Sequence, residues 1–384
     1  MTELLSILKL SKPERLVDQL QAAGYAFAIW RMPQQKEINM LISLKEVEQL
    51  EEFQLQDLNS GFLINQYADN HPVKPFYIQA DIMIKSDKVI LSPNVQDSEI
   101  DAFKERIQIS KPTTKKTVAQ ETGLSEYEKS VRKALNEIEK GTFEKVVLSR
   151  YRDEPLPANF TTWSFFESIA DKYENAFCSI THIPEKGLWI GATPELLISN
   201  DTDRFKTVAL AGTKALTNGN KLSEIAWTQK EIEEQALVSR YIINCFKKIR
   251  LREFHEHGPK TIQAGNLAHL KTEFIVDYAE VDFDELADQM LHLLHPTSAV
   301  CGMPIEHTKP WIQQEENYDR AFYSGFLGPV NVERSTDLFV NLRCMKIDQG
   351  QVRFFAGAGI TEDSDPHKEF EETELKMNIL KSKI

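Results

Sequence analysis

Carboxylates and lysines in four stretches of this chain have the types and spacing to do chemistry. The stretch "FFAGAGITEDSDPHKEFEETELKMNIL", residues 354 to 380, puts seven acidic side chains between Glu362 and Glu374, directly after a run of small residues. On a helix, Glu369, Glu372 and Lys376 at i, i+3 and i+7 share one stripe, while Phe370, Met377 and Leu380 lie elsewhere and can anchor it. Glu231 and Glu234 repeat the i, i+3 spacing in "TQKEIEEQALVSRYI", where Ile232, Ala236, Val238 and Tyr241 supply apolar surface. Taken singly, either stripe is accounted for as a solvated helix face, with a Glu372–Lys376 pair at i, i+4 adding roughly 0.2–0.5 kcal/mol. Together they predict more. If both face one cleft, four carboxylates repel strongly at low dielectric, and a hard divalent cation resolves the conflict. Mg2+ suits such a site, because it keeps several waters and takes only one or two protein carboxylates.

Two further residues stand in apolar surroundings. Lys145 opens the strand-like run "KVVLS" in "FEKVVLSR". It is either a snorkelling surface lysine or a partly desolvated amine, and desolvation lowers a lysine pKa into the range of a usable general base. Glu195 follows Pro194 and precedes Leu196, Leu197 and Ile198 in "WIGATPELLIS". It either caps a turn or is buried, in which case its raised pKa lets it donate a proton near neutral pH. The small-residue stretches "LAGTKA" (210–215) and "AGAGI" (356–360) are expected to be turns whose glycines let backbone N–H groups approach an anion. They are not a dinucleotide fingerprint: Gly357 and Gly359 form GxG, but Glu362 occupies the third glycine position and no β-α-β unit follows.

The elements that must position these residues alternate irregularly. "YAFAIWRM", "FLINQY", "FYIQADIMI", "CSITHI", "GLWIGAT", "ELLIS", "FKTVAL", "LFVNLRCMKI" and "QVRFFAGA" are predicted strands. "LKEVEQLEEFQ", "SEIDAFKERIQI", a segment with Tyr127, Val131, Leu135 and Ile138 on one face, a long stretch over about 222–250, and 366–381 are predicted helices. Ser125 and Glu128 have capping-box spacing, Gly141 is a stop, and Asp365 with Pro366 starts the last helix. The polar, aperiodic "SKPTTKKTVAQETG" (110–123) is expected to be a linker or exposed loop. Strands outnumber helices without strict alternation, which favours an α+β fold.

The 384 residues permit one large domain or two ordinary ones, and 41% hydrophobic with 27% charged residues is a soluble globular balance. A formal net charge of -13 argues against nucleic-acid or anionic-membrane binding. Cys178, Cys245, Cys301 and Cys344 are far apart with no CxxC pair, so neither a disulfide framework nor a zinc site is expected. The N-terminus lacks the long apolar core of a signal peptide, and no run of about 18 uncharged apolar residues occurs; a cytoplasmic protein is expected.

Taken together, "KVVLSR", "GATPELL", "LAGT", "LHPTSAVCGMP", "YDRAFYSGFLGPV", "NLRC" and "FAGAGITEDSDPHKEFEETELK" resemble the chorismate-utilising enzyme family, in that family's order and from about Ser125 to Leu380. The resemblance implies one α+β body of two packed, mainly antiparallel sheets with peripheral helices. In it, residues 1–110 form a variable N-terminal part, 111–123 a linker or exposed loop, and 124–384 the chorismate-binding catalytic region. It implies a magnesium-dependent isomerase in which water attacks ring C2 of chorismate, the C4 hydroxyl leaves, and isochorismate forms.

By the same resemblance Lys145 is the general base, Glu195 the general acid, Glu234 and Glu372 the Mg2+ ligands, and Glu231 and Glu369 their support through water. Arg343, Lys376, Gly212, Thr213 and Gly357 hold substrate carboxylates, and His295, Ala299 and Tyr323 shape the pocket. Lysine at 145 favours water over ammonia, since ammonia-using members usually have glutamine there. Alanine at 299 favours stopping at isochorismate, since salicylate-forming members, which go on to eliminate pyruvate, tend to have threonine. The chain departs from the family in having Glu234-Gln235 where Glu-His is usual, which keeps a non-catalytic chorismate-binding homologue as an alternative. Either menaquinone or siderophore synthesis would use the product, and a monomer or weak homodimer is expected.

Overall fold

Strand-forming runs of aromatic and β-branched residues decide the architecture. The computed structural model describes residues 13–67, 73–86, 88–109, 120–216, 222–264 and 267–384. Among the described residues there are two sheets, of ten and nine strands, and every strand pairing is antiparallel. The ten-stranded sheet runs Gly302–Met303, Lys145–Pro155, Gln351–Ile360, Cys344–Asp348, Gly187–Thr193, Phe177–Ile183, Ala26–Arg31, Ile38–Ser43, Ile82–Lys85, Lys88–Leu91. The nine-stranded sheet runs His255–Ala264, Leu267–Asp277, Arg204–Ala215, Leu196–Asn200, Thr336–Val340, Phe326–Val330, Gly61–Asn65, Phe76–Gln79, Glu48–Gln49.

The sheets pack face to face over an aromatic core. Trp30, Phe62, Phe177, Phe322, Phe339 and Phe355 are buried there, and Phe177 stacks on Phe339 with centroids 4.3 Å apart. Such a pair contributes about 0.5–1.5 kcal/mol beyond its area. Helices cover the outer faces: α1 (Pro13–Ala22), α2 (Asp97–Ile109), α3 (Leu124–Glu139), α4 (Thr162–Lys172), α5 (Gln229–Lys248), α6 (Leu286–Leu294), α7 (Ile305–Glu315) and α8 (Pro366–Lys381). The chain is thus α+β with two packed antiparallel sheets, as the resemblance implies. Strand Ala26–Arg31 is buried on both faces and lies inside the first sheet, pairing Phe27 with His182 on one side and with Ile42 on the other. Gly61–Asn65 lies inside the second, pairing Asn65 with Phe326.

Several expectations need correction. "LKEVEQLEEFQ" is not a helix; Glu48–Gln49 is drawn into an edge strand against Phe76–Gln79, and only Leu55–Asp57 makes a 3-10 turn. Helix α3 starts two residues earlier than a Ser125 cap would place it, capped by Gly123 without a side-chain bond, so Ser125 lies inside its first turn. The stretch 222–250 is a 3-10 turn at Leu222–Glu224 followed by α5. The two small-residue stretches expected to be turns are strands instead: 210–215 belongs to Arg204–Ala215, bulged between Ala211 and Thr213, and 356–360 to Gln351–Ile360. Helices α1, α4, α6 and α7 and the hairpin His255–Ala264/Leu267–Asp277 have no counterpart among the elements expected from the sequence. Positions 110–119 lie outside the described residues, while Glu121 bridges Arg152. The four cysteines are buried and unbridged, and among the described residues no helix is long and apolar enough to cross a membrane.

"LFVNLRCMKI" is two strands in different sheets: Thr336–Val340 belongs to the nine-stranded sheet and Cys344–Asp348 to the ten-stranded one. The stretch "WIGATPELLIS" divides likewise into Gly187–Thr193 and Leu196–Asn200. Within these two stretches the chain crosses between the sheets at Pro194–Glu195 and at Asn341–Arg343, as it also does in "FYIQADIMI" between Phe76–Gln79 and Ile82–Lys85.

Candidate active site

The crossings at Pro194–Glu195 and Asn341–Arg343 lie side by side. The Thr193 hydroxyl donates to the Val340 carbonyl at 2.6 Å, the Val340 N–H to the Glu195 carbonyl at 2.9 Å, and the Ala192 N–H to the Arg343 carbonyl at 3.0 Å. Arg343 has φ +49°, a left-handed conformation that the crossing imposes. Glu195 and Arg343 so reach one cleft, of about 120 Å³, between the sheets. Glu195 is only 9% exposed. Burial pushes its carboxyl up to about 7, against the opposing pull of Arg343, Lys145, Lys376 and the Thr297 hydroxyl. A carboxyl poised there can hold a proton at neutral pH and release it.

Lys145, 4% exposed, begins the strand that borders this cleft. Its amine donates to Glu234 Oε1 at 2.9 Å. The lysine charge, aided by Lys376 and the Gly212 N–H, holds the half-buried Glu234 below the usual carboxylate range, against the opposing effect of desolvation. Two glycines make room. A Cβ on Gly359 would stand 2.9 Å from Lys145 Cε, and Gly212, at φ +67°, approaches Glu231 closely.

Helix α8 brings the second acidic stripe. Asp365 caps it, accepting from the His367 and Lys368 N–H groups at 3.1 and 3.0 Å, as the sequence predicts. Lys376 spans Glu372 at 2.7 Å and the Gly357 carbonyl at 2.8 Å. Glu372 is half exposed, whereas Glu369 is buried, and burial with the nearby Glu372 raises its pKa. On α5, Glu231 closes a capping box with Thr228, whose N–H donates to it at 2.7 Å, and lies 3.8 Å from Lys214. Burial works upward on Glu231 but is outweighed by Thr228 and Lys214, so its pKa is lowered. The helices face one another: Lys376 of α8 acts electrostatically on Glu234 of α5, and Lys230 of α5 on Glu369 of α8.

Among the described residues no three His, Cys, Asp or Glu side chains converge as a ready cluster of metal ligands. The donor chemistry nevertheless fits a hard cation. Glu234 lines the cleft and Glu372 pairs with Lys376, which lines it too, so each carboxylate is an oxygen donor partnered by a lysine. A magnesium ion needs only one or two such carboxylates.

Glu195, Gly212, Glu234, Ala299, Tyr323, Arg343, Gly357 and Lys376 line the cleft together. Tyr323 is buried, stacked on Phe355 at 5.3 Å. His295 is placed elsewhere. It lines a separate cavity beyond the sheet edge, packs edge-on against Phe326 at 5.1 Å and meets the Asn65 amide at 3.2 Å. The Thr213 backbone pairs with His269, and its side chain lies outside the described residues. The sequence reading missed His269 itself. It is buried in the cleft wall with Nδ1 3.0 Å from the Gly212 carbonyl, so Nδ1 carries the hydrogen. Burial and Arg343 push it down to about 4, so the ring is neutral. A lone histidine inside a strand leaves no spacing signal. Gln235 faces away from the cleft; its amide donates to Thr272 Oγ1 at 2.9 Å and to the Ala209 carbonyl at 3.3 Å, tying α5 to the nine-stranded sheet.

A buried acid and an arginine–lysine pair line one small space, with Lys145 behind its wall, paired to the lining Glu234. The arrangement can accept an anionic compound, remove a proton on one side and deliver one on the other. Comparison with known proteins gives a consistent answer. Residues 62–384 match the family described as "Chorismate binding enzyme". The vibriobactin-specific isochorismate synthase of Vibrio cholerae is 27% identical over 66% of this chain and 65% of its own length. Isochorismate synthase EntC of Escherichia coli K12 is 31% identical over 62% of this chain and 61% of its own length. Both alignments thus span less than two thirds of those relatives. The structure of MenF, the menaquinone-specific isochorismate synthase from Escherichia coli, superposes with a TM-score of 0.79 at 21% identity, covering 95% of this chain and 90% of that one, a likeness of fold.

Proposed function

The chain belongs to the chorismate-binding enzymes, and from that premise we propose that it is an isochorismate synthase. The observation that carries the proposal is Glu195, a buried carboxyl held at about 7, in one cleft with Arg343 and Lys376 and beside the Lys145–Glu234 pair. The reading is supported also by the names of the relatives.

Chorismate is a dicarboxylate, so the cations of the cleft have a task. Arg343 and Lys376 hold carboxylates by charge-assisted bonds. The Lys145 amine, which must be in its neutral form for this step and no longer the countercharge of Glu234, removes a proton from water as the water oxygen bonds to ring C2, and Glu195 gives its proton to the C4 oxygen as that C–O bond breaks. One water enters and one leaves, so substrate and product are isomers. Glu234 and Glu372 would hold Mg2+, with Glu231 and Glu369 supporting them. When bound, the ion supplies charge neutralisation of a substrate carboxylate. Tyr323 and Ala299 border the ring.

The test is direct. The protein is incubated with chorismate and Mg2+ and the products are resolved. Isochorismate is expected; its absence with metal present overturns the proposal, and salicylate with pyruvate would move the chain to the salicylate-forming branch.

A further inference from the structure

Three walls of the cleft come from separate parts of the chain: Val147 from the Lys145 strand, Ala299 and Val300 from the loop after α6, and Tyr323 from the segment after α7. One buried ion pair touches all three. Arg320 and Glu316 have side chains 2% and 6% exposed. The guanidinium grips the carboxylate with both edges, Nε to Oε2 at 2.7 Å and Nη2 to Oε1 at 2.6 Å. Two further donors go to backbone carbonyls of the cleft walls, Nη1 to Val300 at 2.9 Å and Nη2 to Val147 at 2.8 Å. Glu316 Oε1 in turn accepts from the N–H and hydroxyl of Ser149 at 2.7 and 2.9 Å. The pair itself sits on the segment that leads into Tyr323.

Two charges out of water are costly unless every donor and acceptor is satisfied, and apolar residues of similar volume often serve stability as well or better. Stability alone therefore gives no reason for an arginine here. Geometry does: only a planar fork reaches one carboxylate and two carbonyls at once, which the three donors of a lysine on a flexible stem do not reproduce. Val147 and Lys145 are two residues apart and so on the same side of one strand. A shift of Val147 moves Lys145 with it.

We propose that Arg320 and Glu316 are a positioning pair, which fixes the Lys145 strand against the Ala299–Val300 loop and Tyr323 and so sets where the amine stands over the substrate ring. The inference rests on the isochorismate synthase reading for its activity readout, though not for its structural one. It concerns neither residue as a group that touches substrate.

The experiment uses the full chain with Arg320→Lys and Glu316→Gln, the second being isosteric and retaining both carbonyl contacts of Arg320 in case the first does not fold. Turnover of chorismate is measured per folded molecule, together with hydrogen exchange at the Val147 and Ser149 amides, which donate to the Cys301 carbonyl and to Glu316. The expected result is a kcat lower by at least about tenfold, a KM within about threefold, and faster exchange confined to residues 145–149 and 299–303. A folded variant with wild-type kcat overturns the proposal. So does a loss of activity explained wholly by a smaller folded fraction, with turnover per folded molecule unchanged. If wild-type protein does not convert chorismate, the function reading fails instead, and the exchange pattern decides alone: localised acceleration supports the pair as a clamp, and unchanged exchange overturns it.

Discussion

The Lys145 amine donates to Glu234 across 2.9 Å, joining strand Lys145–Pro155 to the acidic face of α5 at the cleft. Glutamine at 145 retains a donor for Glu234 and an amide of reasonable length, but accepts no proton from water. Lys145→Gln is therefore expected to lower isochorismate formation by at least about a hundredfold while the far-ultraviolet spectrum stays native. Near-normal turnover, measured by product separation, would remove the lysine from the base role.

Glu195 must be protonated to serve as the acid, and its carboxyl is held up to about 7. The competent form is thus present below that pH and lost above it. The profile of kcat/KM should fall on its alkaline side from about pH 7, tenfold per unit for a single ionisation. A profile flat from about pH 6 to 9 would assign the proton to another group.

The same shift predicts a stability effect. The native Glu195 carboxyl titrates at about 7 and the unfolded one at 4.5, so the native state binds more protons between these values. Stability then falls as pH rises through that window and levels off above it, by roughly 3 kcal/mol from the shift alone. Glu195→Gln removes this term. Its melting temperature should gain on the wild type steadily from about pH 4.5 to 8 while activity drops by at least about a hundredfold; parallel melting curves at all pH values would contradict it.

A methyl group at 359 would press on Lys145 Cε, 2.9 Å from the ideal Cβ. Gly359→Ala should cost at least about tenfold in kcat through displacement of the amine, with KM for chorismate altered far less. Steady-state kinetics decide, and an unchanged kcat would show that the lysine stem simply moves aside without loss.

The magnesium proposal makes its own prediction. Calorimetric titration of chelator-treated protein should detect Mg2+ binding, and Glu234→Gln or Glu372→Gln should weaken it at least about tenfold. Wild-type affinity in both variants would place the ion elsewhere.

How much of this was legible in the sequence follows from what each signal depends on. The last helix was, to the residue, because Asp365, Pro366 and Gly357–Gly359 are local punctuation. The coming together of Glu195, Arg343 and Lys376 was legible only through the order of seven motifs, since each residue sits on a different element, while Glu234 lies outside those motifs and was singled out by the paired acidic stripes. The crossings between sheets were not. "LFVNLRCMKI" has one continuous apolar character, and nothing in its composition says that the chain changes sheet at Asn341–Arg343. The helix expected at 44–54 failed because a helical period of apolar residues was outweighed by tertiary pairing with Phe76–Gln79. The glycine stretches read as turns because glycine favours them; here it serves close approach inside strands.

Strand Ala26–Arg31 stands between Ile38–Ser43 and Phe177–Ile183 and before the stretch that matches the family. The ladder holding Phe177–Ile183 in place therefore depends on residues whose identity the chemistry does not constrain. The side chains of Ala26–Arg31 answer to packing instead, with Phe27 and Ile29 buried on one face and Trp30 on the other. Excising residues 62–384 alone would uncover the margin of Phe177–Ile183, and such an exposed apolar edge is expected to seek another strand.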